Sequence, residues 1–199
     1  EFKGYTFAGV ANLTYHLGDQ HFFTLNDTYT HYRRRTTNSA ANSVQQIAST
    51  FMRRINQKNV LGLSYKFLPN EHWNLVAFLK YYHSLVKGPV NVATSGRADY
   101  EEQERSTDAL GWGAAGTYFL LGKDLQVKLS YERTYRLPTD RELFGDGDYE
   151  DGNATLRPEK SDNVNLNLGY QHTWNDVHTF SLDAGLNYRN VQDYIIRTI

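Results

Sequence analysis

The 199-residue chain predicts an all-β fold, an antiparallel up-and-down sheet forming part of a transmembrane β-barrel. Three observations carry that prediction. Apolar residues recur at every second position over long runs. Many of the runs last about ten residues or more, whereas strands usually run to about five or six. The connections between them alternate between short turns and long polar segments. The two unequal ends of a membrane barrel produce that alternation, and a soluble sandwich has no reason for it.

Each strand can be justified in turn. In 5–17, Tyr5, Phe7, Leu13, Tyr15 and Leu17 oppose Thr6, Asn12, Thr14 and His16. Weaker strands follow at 21–32 and 60–68. In 72–84, Trp73, Leu75, Ala77, Leu79 and Tyr81 share a face, although Val76 and Phe78 blur the alternation. Residues 111–121 place Trp112, Ala114, Tyr118 and Leu120 together. In 125–135, Leu125, Val127, Leu129, Tyr131 and Tyr135 oppose Gln126, Lys128, Ser130, Glu132 and Thr134. In 164–171, Val164, Leu166, Leu168 and Tyr170 oppose Asn165, Asn167 and Gln171. In 179–189, Phe180, Leu182, Ala184, Leu186 and Tyr188 oppose Thr179, Ser181, Asp183, Asn187 and Arg189. A further strand begins in 192–199, so about nine are expected. Short turns fall at Gly18-Asp19, 69–71, 122–124 and 175–176; long polar loops fall at 33–58, 85–110 and 136–162. The apolar faces carry aromatic residues toward the strand ends, as girdles at a bilayer surface do. The opposite faces are rich in Asn, Thr, Ser, Gln and Lys, a poor core but a good wall for a wet lumen.

Composition narrows the classes. Acidic residues number 22 and basic residues 21, so no net charge steers the chain to nucleic acid. The absence of Cys removes a disulfide scaffold and a thiolate metal site. The mean hydropathy of -0.63 is too low for a helical membrane protein, and no run of about 18 apolar residues exists. A barrel tolerates both. "EFKGYTF" reads as already inside a strand, so the chain is expected to be a piece of something larger.

The alternation of 125–135 ends at Arg136-Leu137-Pro138, because Pro138 cannot serve a ladder. Thr139-Asp140-Arg141-Glu142 has the capping-box pattern, and Gly145 can take the positive φ that ends the short helix. At these residues the chain resembles the TonB-dependent outer-membrane receptors. The match runs through Tyr135, Arg136, Pro138, Glu142, Leu143, Phe144 and Gly145, and resumes at Gly152, Asn153, Leu156, Pro158, Glu159 and Ser161. It is tight over about 135–170 and rests elsewhere on strand rhythm. The resemblance implies a 22-stranded barrel with a plugged lumen. On that basis residues 1–199 form one partial barrel domain, lacking the plug and the closing strand. The implied function is active uptake of a scarce ligand, an iron-siderophore foremost, with cobalamin, heme or a glycan as other classes. The implied partners are outer-membrane lipid and lipopolysaccharide, the ligand, and the TonB complex acting through a plug. The implied location is the bacterial outer membrane. A passive porin-like channel and a soluble or surface β-sheet module are the alternatives.

No catalytic constellation is present: there is no nucleophile elbow, no His-Glu-x-x-His and no P-loop. The seven His residues are scattered without ligand spacing, so neither a metal nor a cofactor is expected. "DGDYEDGN" clusters Asp146, Asp148, Glu150 and Asp151, but it lacks the positions of a calcium loop and reads as solvated acid. The arginines carry the main binding expectation. Arg33, Arg34 and Arg35 open one long loop and Arg53 and Arg54 close it. If the stems pair, five guanidiniums meet at one rim and can fork onto lipopolysaccharide phosphate or an anionic ligand. Val44, Ile47, Ala48, Phe51 and Ile55 have helical spacing within that loop. Asp99, Glu101, Glu102 and Glu104 give the next loop an acidic tip that could pair with the basic one.

Overall fold

The computed structural model describes residues 2–36, 53–92, 100–145, 152–175 and 177–196. Eight strands form one sheet in chain order: β1 (Phe2–Leu17), β2 (His21–Thr36), β3 (Arg53–Asn70), β4 (Trp73–Asn91), β5 (Tyr100–Leu120), β6 (Leu125–Arg136), β7 (Glu159–Trp174) and β8 (His178–Gln192). Every neighbouring pair is antiparallel. A 3-10 turn (Leu121–Lys123) joins β5 to β6, and one short helix, α1 (Asp140–Phe144), lies between β6 and β7. β1 and β8 form the two edges of this open sheet.

The strands run further than the alternation shows. The segment 85–110, expected as a loop, is mostly ladder, and β4 and β5 stay paired up to Asn91↔Tyr100. Glu101, Glu102 and Glu104 accordingly lie in β5, opposite Val90, Pro89 and Lys87. β2 and β3 likewise extend to Thr36 and from Arg53. The physical reason is simple. Beyond the apolar band the outward face turns polar, and on β4 the inward face at Tyr82, Ser84 and Val86 is buried, so the period-2 signal fades while the backbone pairing continues. The expected helix over 44–55 falls mostly outside the described residues, and Ile55 belongs to β3. The ninth strand is not formed over residues 193–196, where Asp193 takes φ 55°.

Register separates the two faces. Leu13, Leu25, Leu63, Leu79 and Trp112 lie opposite one another across five strands, one row of a continuous apolar face. Aromatic pairs flank that face, with Trp73–Tyr118 at 4.5 Å and Phe23–Tyr65 at 4.9 Å toward the short turns. Trp112–Tyr131 at 5.0 Å lies toward the long connections. From Trp73 to Tyr81 the strand advances about 26 Å, within the length with which a tilted strand of about 9–11 residues crosses a bilayer core. At the next outward positions polar residues take over: His83, Asp108, Arg133, Asp162 and Asn190. The girdle hydroxyls reach them. Tyr81 donates to Asp108 at 2.6 Å and Tyr131 to Asp162 at 2.7 Å.

The other face is polar and internally bonded. Asn12 pairs with Asn26 and Asn165 with Asn187, while Lys80 meets Glu132 at 2.7 Å. An open depression of about 330 Å³ on this face is lined by Gln126, Lys128, Asn167 and Asp183, among others.

The short-turn end is knitted sideways. The Leu68 amide donates to the Gln20 carbonyl at 2.8 Å, Phe119 to His72 at 2.8 Å and Gln171 to Asp124 at 2.7 Å. Each of these three turns is thus tied to a strand beyond its own hairpin. Gly18, at φ 63°, supplies the left-handed residue of the first turn.

Large apolar side chains stay uncovered on the apolar face; Leu186 is 73% exposed and Leu129 56%. Among the described residues the buried apolar side chains include Tyr82, Val86, Leu137, Leu143 and Phe144, all at the long-connection end. A soluble sheet of this size would bury its apolar face, whereas the outer face of a membrane barrel carries such an uncovered band. In the complete barrel, Leu129→Arg is expected to destabilise insertion into lipid vesicles by about 2–4 kcal/mol, whereas Gln126→Arg on the polar face of the same strand should cost under about 1 kcal/mol. Urea titration of vesicle-inserted protein measures both, and equal costs would reject the assignment of faces.

Candidate functional site

The candidate site is the long-connection end of the polar face, where α1 folds over the strands. β6 ends at Arg136, and Leu137 and Pro138 turn the chain inward, both buried. Thr139 caps α1 as its sequence predicts. The Glu142 amide donates to Thr139 Oγ1 at 3.3 Å, and the Thr139 amide donates to Glu142 Oε2 at 2.8 Å. Gly145 closes the helix at φ 69°, its amide donating to the Arg141 carbonyl at 2.8 Å.

Five residues are too few for an independent helix, so packing must hold this one. Leu143 and Phe144 pack with Val86 of β4, with Val90, Ala154 and Leu156 around them. Leu143 and Val86 are only 2% and 1% exposed. Two glycines make room. A side chain on Gly88 would place its Cβ 2.6 Å from a Phe144 ring carbon. One on Gly152 would stand 2.3 Å from the Gly145 nitrogen, where the returning chain crosses the helix end. Asn153 then donates its amide to the Glu142 carbonyl at 2.9 Å, and its side chain accepts from the Thr155 amide at 2.9 Å. Tyr135 meets Tyr82 with ring centroids 6.3 Å apart.

Electrostatics complete the clasp. Arg136 donates to both oxygens of Glu142 at 3.0 and 3.1 Å, and to Glu159 of β7 at 3.0 Å. The Ile195 amide, beyond β8, donates to the same Glu159 carboxylate at 2.7 Å. The Arg136 guanidinium, more than burial, sets Glu159: it holds that carboxyl below its usual range, with the Ile195 amide assisting. Burial pushes Glu142 upward, but the Thr139 amide, Arg136 and the Thr139 hydroxyl outweigh it, and its pKa also falls. Arg136 is raised in turn, by Glu159 first.

The five arginines of the sequence prediction occupy one hairpin end but two faces. Pairing of Arg34 with Arg54 and of Arg35 with Arg53 brings the stems together as expected. Alternation then divides them. Arg33 is in register with Tyr5 on the apolar face, donates to its hydroxyl at 2.9 Å and lies 5.8 Å from its ring centroid. Arg53 is exposed, and register puts positions 35 and 53 in the same row as Lys3. Arg54, on the polar face, is buried and donates to the Gly145 carbonyl, the negative end of α1. Arg34 lies opposite it. The acidic stretch 146–151 and Asp99 fall outside the described residues. Among the described residues no three His, Asp or Glu side chains gather as metal ligands would. The roles of Val86, Gly88 and Arg54 under α1 were missed in the sequence; the only available signal was a lone glycine in Lys87-Gly88-Pro89, a pattern that reads as a turn.

Both carboxylates have lowered native pKa values, so their contribution is complete above the unfolded value of about 4.3 and is lost as pH falls through the native values. Proteolysis of 137–158 in the complete protein should therefore accelerate below about pH 4. Glu159→Gln should weaken that pH dependence, and Glu142→Gln together with Glu159→Gln should nearly abolish it. Arg136→Leu should loosen the segment by about 1–2 kcal/mol at pH 7, the outward edge of the guanidinium keeping the figure below that of a fully buried pair. Unchanged cleavage in Arg136→Leu would reject the clasp.

Comparison with known proteins agrees with this geometry. Solved structures share the fold at low identity. The copper transporter OprC superposes with a TM-score of 0.73 at 14% identity, covering 97% of this chain and 31% of that one. The Serratia marcescens hemophore receptor HasR, in complex with its hemophore HasA and heme, gives 0.66 at 16% identity, covering 97% and 33%. The ferric-catecholate import receptor Fiu of E. coli K12, closed form, gives 0.59 at 16% identity, covering 96% and 31%. The chain thus spans about a third of the length of the structures it matches. No curated protein sequence matches it. The family model "TonB dependent receptor-like, beta-barrel" matches residues 2–199. The chain belongs to the β-barrel family of TonB-dependent receptors, a family of transport receptors.

Proposed function

We propose that this chain is the wall of an outer-membrane receptor that takes up a scarce ligand actively, an iron-siderophore being the first class to test and cobalamin, heme or a glycan the others. The observation that carries the reading is the folded rim motif. α1, with Ala154 and Leu156, packs over the polar face at the long-connection end, where in a closed barrel it would narrow the mouth from within and leave the apolar band to lipid. The related folds fit this reading, since one transports copper, one binds a hemophore with heme and one imports ferric catecholate. In this proposal the sheet binds and guides, a plug domain outside this chain gates the lumen, and the TonB complex supplies the energy. No covalent chemistry is required of these residues.

The arginines divide the binding work. Arg33, Arg35 and Arg53 would meet lipopolysaccharide phosphate at the outer leaflet. Arg34, beside the structurally committed Arg54, would meet an anionic ligand entering along the polar face. Guanidinium suits both because it binds oxyanions through two parallel donors.

Uptake by cells carrying the full-length gene tests the proposal, with labelled ferric chelates, cobalamin and heme supplied in turn. Accumulation that disappears when TonB is deleted is the expected result. Passage of small solutes regardless of TonB would assign the barrel to a passive channel instead. With an anionic ligand, Arg34→Gln should raise the half-saturating concentration by about 3- to 30-fold at low salt, the effect shrinking as salt is added. Unaltered uptake at low salt would remove Arg34 from the ligand path.

A further inference from the structure

The sheet forks at its long-connection end. The β5–β6 ladder stops at Trp112↔Arg133, whereas β4–β5 continues to Asn91↔Tyr100. β6 proceeds with β7 alone, as far as Arg136↔Glu159. One arm of the fork is therefore β1 to β5, and the other is β6 to β8. No ladder between β5 and β6 crosses the gap beyond Trp112.

α1 lies across it. Toward the first arm, Phe144 sits against Gly88 and Leu143 against Val86, both on β4, and Arg54 of β3 donates to the Gly145 carbonyl. Toward the second arm, Arg136 of β6 grips Glu142 of the helix and Glu159 of β7 together. The Ile195 amide ties the segment after β8 to the same carboxylate. Contacts on the first arm are mainly apolar and shape-specific, because only glycine at position 88 admits the Phe144 ring. Those on the second arm are charge-assisted hydrogen bonds.

We infer that α1 is a coupling hub: it joins the outer ends of β3 and β4 to those of β6 and β7, so that a displacement of one arm is transmitted to the other. The coupling follows from the helix's length. Five residues hold no helix by themselves, so α1 is ordered only while both arms grip it. Releasing one arm removes the template on which the other grip depends. Such coupling must act equally in both directions. Two of the three long connections, β2 to β3 and β4 to β5, spring from the first arm, and the third, β6 to β7, springs from the second. The inference stands on the fork and its bridge, independently of any ligand, so it can fail while the importer reading survives, and the reverse.

Hydrogen exchange followed by mass spectrometry on the full-length protein in detergent tests it. Gly88→Val displaces Phe144 on the first arm and should speed exchange at 159–163 of the second arm by about tenfold or more. Reciprocally, Glu159→Gln should speed exchange at 86–90 of β4 by a similar factor. Residues 5–17 of β1 serve as the internal control and should not change. Acceleration confined to the arm that carries the substitution would overturn the inference. If Gly88→Val also accelerates β1, the fold itself has been damaged, and Arg54→Met becomes the deciding variant. It leaves the apolar contacts in place and removes the bond to Gly145; faster exchange at 159–163 upholds the hub, and unchanged exchange overturns it.

Discussion

Backbone pairing is the constraint on which this molecule rests. A strand in an apolar surrounding has no water to satisfy its N–H and C=O groups, so each must be bonded to the next strand. Side chains cannot substitute for that ladder, and they are released to serve two solvents instead. One face becomes uniformly apolar, the other polar and cross-linked by amides. The usual relation of core to surface is inverted, for the apolar residues lie outside and most of the burial is confined to the rim. Stability is thus spread along the ladders rather than concentrated in a centre.

The rim departs from that rule in an instructive way. There the apolar band has ended, the outward face turns polar, and a small soluble-type core becomes possible. Val86, Leu143 and Phe144 form one. The charges arranged around it follow the logic of a partly buried ion network: Arg136 is shared between two carboxylates, and each carboxylate has a backbone amide as a further donor. A guanidinium can do this because its donors lie in one plane at fixed angles, whereas an ammonium would satisfy the two acids less evenly.

Much of this was legible in the sequence, and what was not has a physical cause. The alternation in β6, β7 and β8 is strict because one face is apolar and the other polar, so those strands read directly. The outer reaches of β4 and β5 did not, since Lys87, Ser106 and Thr107 put polar residues on both faces of the sheet. The capping box at Thr139–Glu142 was visible because its spacing is local, and Gly145 for the same reason. The partners of α1 were invisible because they are remote: Arg54 lies 91 residues from Gly145, and nothing near either residue records the contact. The arginine pairs were correctly placed at one hairpin end, yet their division between faces depends on register, which a one-residue slip would reverse.

The lateral bonds at the short-turn end have a consequence for how such a chain can vary by descent. Gln20, His72 and Asp124 each offer a turn carbonyl to an amide on a strand outside their own hairpin. A residue inserted in one of those turns would disturb its neighbour as well, and the error would propagate sideways around the wall. At the opposite end β6 and β7 have already parted from β5, and among the described residues the β5–β6 ladder does not continue beyond Trp112. One end of the molecule is therefore held to a fixed length while the other can lengthen, shorten and change composition. New binding preferences can arise there without reopening the wall that carries them.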